Sequence, residues 1–103
     1  MTLKTLIAAT AMTLSASVAF AETHIVNIQG FAFEPATLTI AAGDTVTFVN
    51  QDGAPHTATA NNGSFDTGRL SRGQEASLTF NSAGTYDYFC EVHPNMTATL
   101  IVE

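Results

Sequence analysis

The chain has 103 residues, 46% of them hydrophobic and 12% charged, with a formal net charge of −6. That length allows one domain, and three Lys and Arg against 9 acidic residues exclude nucleic acid and anionic membranes as partners. A single cysteine excludes an internal disulfide.

Residues 1–21, MTLKTLIAATAMTLSASVAFA, read as a secretory signal: one Lys, an apolar run, then Ala19-Phe20-Ala21. Thr10, Thr13, Ser15 and Ser17 interrupt the run, so a membrane anchor is the poorer reading. Cleavage after Ala21 leaves a working domain of residues 22–103, exported, with no stable membrane insertion. Removing Lys4 leaves Arg69 and Arg72 as strong cations, a balance that suits a basic protein partner. An exported domain of this size relies on disulfides or a metal for extra stability. With one Cys, metal is favoured.

No helix-length amphipathic pattern follows residue 22. Strands are expected at 24–29 (HIVNIQ), 36–40 (ATLTI), 44–50 (DTVTFVN), 56–60 (HTATA), 75–80 (EASLTF), 85–90 (TYDYFC) and 97–103 (TATLIVE). Turns fall at Ala42-Gly43-Asp44, at 61–64 (NNGS) and at 81–84 (NSAG). Residues 65–73 read as irregular, with room for a short edge strand. Seven to eight short strands without helix predict an all-β fold, a sandwich or barrel with Greek-key connections. Alternation within the strands predicts a core of Ile28, Phe33, Leu38, Ile40, Val46, Phe48, Leu78, Phe80, Tyr86, Tyr88, Leu100 and Val102. His24, opening the first strand, reads as a surface residue.

The connection between the last two strands carries Cys90, His93 and Met96 at intervals of three, stiffened by Pro94. A lone Cys is ordinarily a small buried hydrophobe, and a lone Met a core filler. Both together with His93, in an exported chain, point to a metal loop. His56 follows Pro55 at the start of a strand, and that strand end can reach the same pole of a sandwich. Zinc prefers Cys and His without Met, and calcium and magnesium want oxygens. Two imidazoles, a thiolate and a thioether match the trigonal His2Cys site with a weak axial Met that holds copper in electron-transfer proteins.

At these residues the chain resembles the cupredoxins, the type 1 blue copper proteins, and within them the amicyanin group. AGDTVTFVNQDGAPHT resembles the family's approach to its first His ligand, and AGTYDYFCEVHPNM the segment with the other three. The resemblance implies an eight-stranded Greek-key β-sandwich and one copper per chain, held by His56, Cys90, His93 and Met96. It implies that Asn50 fixes the first ligand loop and that backbone N–H groups bond the Cys90 sulfur. Two positions depart from the pattern. Thr57 stands where Asn is common after the first His, giving a shorter bridge between the ligand loops. Asn95 stands where Phe is common, making the surface more polar.

The expected function is shuttling of single electrons, with His93 as the point where electrons arrive and leave, ringed by Ala54, Pro55, Pro94 and Asn95. A c-type cytochrome, an oxidase or a periplasmic dehydrogenase would each fit as partner to this monomer. The alternative is a periplasmic copper carrier or chaperone that uses the same donors without redox shuttling. Four protein ligands leave no open position for a substrate, which argues against an enzyme.

Overall fold

A computed structural model describes residues 20–103 of the chain. Most of the expected export signal, residues 1–19, lies outside the described residues. Eight strands form two four-stranded sheets: β1 Thr23–Ile28, β2 Phe33–Glu34, β3 Thr37–Ile40, β4 Asp44–Asn50, β5 Thr59–Ala60, β6 Glu75–Phe80, β7 Gly84–Phe89 and β8 Thr97–Val102. One sheet has the order β2-β1-β4-β6, the other β3-β8-β7-β5.

Two parallel pairings set the topology. β1 runs beside β4 with Ile28 opposite Asn50, and β3 runs beside β8 with Ile40 opposite Val102. The first pairing places the ends of β1 and β4 side by side, and Gln51 N–H bonds the Ile28 carbonyl at 2.8 Å. The loops after both strands therefore share one pole. The turn into β4 uses Gly43 at φ 97°, a left-handed backbone that glycine adopts without steric cost.

The core lies between the sheets and contains Val26, Ile28, Phe33, Ile40, Val46, Phe48, Phe80, Tyr88, Leu100 and Val102. Leu38, Leu78 and Tyr86, expected in the core, are only partly buried and pack at its margin. Phe65 supplies what those three do not. Its ring stands 5.1 Å from Phe80, 5.6 Å from Tyr88 and 6.1 Å from Phe48, so an irregular segment plugs the sandwich.

The strand expected at 56–60 is regular only at Thr59–Ala60. Its beginning is held by an isolated bridge between His56 and Leu70, and Thr67 Oγ1 accepts the Ala58 N–H at 3.0 Å in place of a carbonyl. A side chain thus replaces part of a backbone ladder, and residues 65–70 form no full edge strand. The two-residue β2 escaped the sequence pattern because two residues show no alternation. His24 is not a free surface residue: it is partly buried, and its Nε2 lies 2.9 Å from Asp44 Oδ2, at the opposite pole from the 90–96 loop.

Candidate metal centre

Cys90 follows the last residue of β7, and Met96 precedes the first residue of β8. The loop is closed from within: Cys90 N–H donates to the Met96 carbonyl at 3.1 Å, and Met96 N–H to the His93 carbonyl at 2.9 Å. Cys90, at 0% exposure, and Met96, at 4%, face the sandwich interior, whereas His93 is partly exposed. His56 arrives from the loop after β4 and is 0% exposed.

Three donor atoms converge. Cys90 Sγ lies 3.7 Å from His56 Nδ1 and 3.9 Å from His93 Nδ1, and the two nitrogens are 3.2 Å apart. A point equidistant from all three lies about 2.1 Å from each, within the range of metal–nitrogen and metal–sulfur bonds. The donor set and its spacing fit a metal ion, and a buried thioether in the same loop inclines that fit to copper. The Cys90 sulfur also accepts N–H bonds from Thr57 and His93, both at 3.4 Å, as the resemblance to the cupredoxins implied.

Asn50 is fully buried and anchors the first ligand loop. Its Nδ2 donates to the carbonyls of Ala54 at 2.9 Å and Leu70 at 2.8 Å, and its Oδ1 accepts the Asp52 N–H at 2.9 Å. Thr57 bridges the loops despite its short side chain: its Oγ1 accepts the Glu91 N–H at 2.8 Å. Having accepted there, the Thr57 hydroxyl donates to Thr59 Oγ1 at 2.9 Å, which in turn donates to Asp66 at 3.1 Å. The carboxylate at one end and the amide at the other fix the direction of this chain of bonds.

Ala54 and Pro55 are partly exposed, and Pro94 and Asn95 exposed, so the ring of residues expected around His93 is open to solvent. Two further residues went unread in the sequence. Asp52 Oδ2 lies 2.9 Å from His56 Nε2, and the Phe31 ring sits 5.0 Å from that of His56 and 4.8 Å from that of His93. Asp52 stands four residues before His56, in the run that precedes the first His of the set, and the local pattern gives it no role there. Phe31 gave no signal, because only the β1–β4 pairing brings it to this pole.

The chain matches the family of copper binding proteins of the plastocyanin/azurin type over residues 21–103. It belongs to that family. Among its relatives, an amicyanin of Paracoccus versutus is 36% identical over 88 residues, covering 81% of this chain and 67% of that one. An oxidized amicyanin variant superposes with a TM-score of 0.73 at 34% identity, covering 79% of this chain and 82% of its own. A copper-containing nitrite reductase of Thermus scotoductus SA-01 superposes with a TM-score of 0.76 at 28% identity, over 89% of this chain and 25% of that one. This cupredoxin thus has the all-β sandwich of the amicyanins and is a copper protein.

The electrostatics of the site centre on Asp52. The Phe31 N–H holds its carboxyl below the ordinary carboxylate value, helped by the Gly30 N–H and the His56 imidazole, while desolvation pushes the other way. As a carboxylate, Asp52 only accepts. His56 Nε2 therefore carries the proton, and its Nδ1 presents a lone pair to Cys90 and His93.

Proposed function

We propose that this chain is a small exported carrier of single electrons between redox proteins, acting through one copper held by His56, Cys90, His93 and Met96. The observation that carries this reading is the convergence of a cysteine sulfur and two imidazole nitrogens on one point, beside a loop closed by a buried methionine. Copper bound there supplies a one-electron couple between its +2 and +1 states.

The chain's own residues favour electron passage over substrate chemistry. Asn50, Thr57 and the backbone bonds to Cys90 lock the donors, so little moves when the charge of the site changes. Burial of Cys90 and His56 keeps water from the centre. Of the two candidate ligand imidazoles only His93 is partly exposed, and its edge gives a short coupling path to a partner. The polar Asn95 and small Ala54 belong to the approach to His93, and the chain's acidic balance favours a basic partner there, such as a c-type cytochrome. An oxidase or a periplasmic dehydrogenase is served by the same surface.

Four protein donors leave no position for substrate, so the chain is a carrier and not an enzyme. Its likeness to a nitrite reductase extends over a quarter of that enzyme. The signal pattern at 1–21 supports export of the carrier, to the periplasm or otherwise out of the cytoplasm.

The test is addition of Cu(II) to the purified domain. An intense blue colour, a narrow copper hyperfine pattern and a reversible voltammetric couple with fast self-exchange are expected. A colourless or tetragonal product overturns the reading. Binding without a reversible couple favours a copper carrier without redox duty.

A further inference from the structure

The chain carries an exposed phenylalanine in a backbone conformation that side chains avoid, directly against the metal centre. Phe31 has φ 56°, the left-handed region, and its side chain is 52% exposed. A non-glycine residue adopts that backbone only at a steric cost, and the half-exposed ring gains little from burial. What the ring does gain is contact with two imidazoles, edge to face: 5.0 Å and 87° to His56, 4.8 Å and 76° to His93.

One carboxylate holds this conformation. Asp52 Oδ1 accepts the Gly30 N–H and Oδ2 the Phe31 N–H, both at 2.9 Å. The same Oδ2 accepts the His56 Nε2–H at 2.9 Å. Asp52 is itself set in place, because its N–H donates to the buried Asn50 Oδ1. Its side chain is only 14% exposed, although the two amides it binds in the loop after β1 belong to exposed residues. The loop between β1 and β2 and the loop after β4 are thus fastened to each other and to a ligand imidazole at a single point.

We propose that Asp52 is a positioning residue of the copper centre: its carboxylate fixes His56 as the Nε2–H tautomer and pins Phe31 as an aromatic cover over both ligand histidines. The inference rests on the copper reading for its consequences, but the tautomer and the cover belong to the metal-free protein. Three consequences follow. The Nδ1 lone pair of His56 is aimed before the metal arrives, so no tautomer exchange accompanies binding. A negative charge relayed through His56 favours the more highly charged metal state and lowers the reduction potential. The Phe31 ring abuts the two imidazoles edge to face and slows loss of metal past them.

The test has a metal-free arm and a copper arm, with Asp52→Asn, Asp52→Ala and Phe31→Ala. Long-range proton–nitrogen NMR of the metal-free protein is expected to show His56 protonated at Nε2. Both Asp52 variants are expected to mix tautomers and lose exchange protection at the Gly30 and Phe31 amides. With copper loaded, transfer of Cu(I) to bicinchoninate is expected to be at least tenfold faster in Asp52→Ala and Phe31→Ala. The reduction potential of Asp52→Asn is expected to lie above that of the parent. A parental tautomer and parental amide protection in folded Asp52→Asn overturn the proposal, as does a parental transfer rate in Phe31→Ala. If Asp52→Ala fails to fold, the near-isosteric Asp52→Asn decides the question. If the parent takes up no copper, the functional reading falls while the NMR arm still judges the clasp.

Discussion

Thr57 Oγ1 accepts the N–H of Glu91 at 2.8 Å, joining two ligand loops that lie 34 residues apart in the chain. The bond is partly buried and starts the relay through Thr59 to Asp66. Thr57→Val keeps the shape and removes the hydroxyl, leaving the Glu91 N–H without its partner. A loss of about 1–2 kcal/mol is expected, read from denaturant unfolding of the metal-free protein. The backbone N–H of residue 57 still reaches the Cys90 sulfur, so blue colour is expected to persist. Unchanged stability would show that the bridge contributes nothing to joining the loops.

Asn50 makes three bonds from a fully buried position, two from its amide nitrogen and one to its oxygen. Asn50→Ala takes the amide donor from the carbonyls of Ala54 and Leu70, leaving Leu70 only the His56 N–H, and frees the Asp52 N–H. We expect a cost of about 2–4 kcal/mol in unfolding free energy, together with weaker copper retention. Asn50→Asp preserves size and the acceptor but removes both donors, and is expected to be nearly as damaging. Parental midpoints for both variants would contradict the anchoring role.

The donor assignments separate by spectroscopy. Cys90→Ser exchanges a thiolate for a poor hydroxyl ligand, so the blue absorption is expected to vanish while the fold remains. Met96→Leu keeps the apolar volume and removes the thioether, which would be the weakest of the four donors to copper, so colour is expected to persist. Losing about 1.4 kcal/mol of preference for the oxidised state raises a one-electron potential by about 59 mV, and a rise of that order is expected in Met96→Leu. A falling potential in Met96→Leu would remove Met96 from the site.

Electron passage at His93 is tested at its rim. Ala54→Glu and Asn95→Asp add negative charge to an already acidic surface without touching a donor atom. Electron self-exchange, followed by NMR line broadening, is expected to slow about tenfold at low salt and to recover as salt is added. Rates equal to the parent's at low salt would place the electron route elsewhere.

Asp44 gives the fold an acid limit. The Glu22 N–H, then the His24 imidazole and the Ala41 N–H, hold its carboxyl below the ordinary value. A carboxyl depressed in the folded state contributes fully above its unfolded value of about 4. That contribution is lost as pH falls through the lower folded value. Asp44→Asn is therefore expected to be less stable than the parent at pH 7, with the gap closing below about pH 4. Unfolding midpoints at pH 7 and pH 3 measure this, and a gap that does not change with pH would contradict it.

Most of the longer strands, most of the interior and the four candidate donors were legible in local pattern. Alternation put Val46 and Phe48 inward, because a pleated strand turns every second side chain to one face. Spacings of three gathered Cys90, His93 and Met96, because a loop that short keeps its side chains near one point. What surrounds them depends on how distant segments pair. The parallel pairing of β1 with β4 is a contact between distant segments, and no local pattern encodes it. It carries Phe31 onto both histidines and lets Asp52, to which the local pattern gives no role, close on His56. The same holds for Phe65, whose irregular segment hides a core residue, and for His24, which looked like surface until Asp44 met it. Short-range periodicity reports which way a side chain points within its own strand, whereas its partner depends on how the sheets pair.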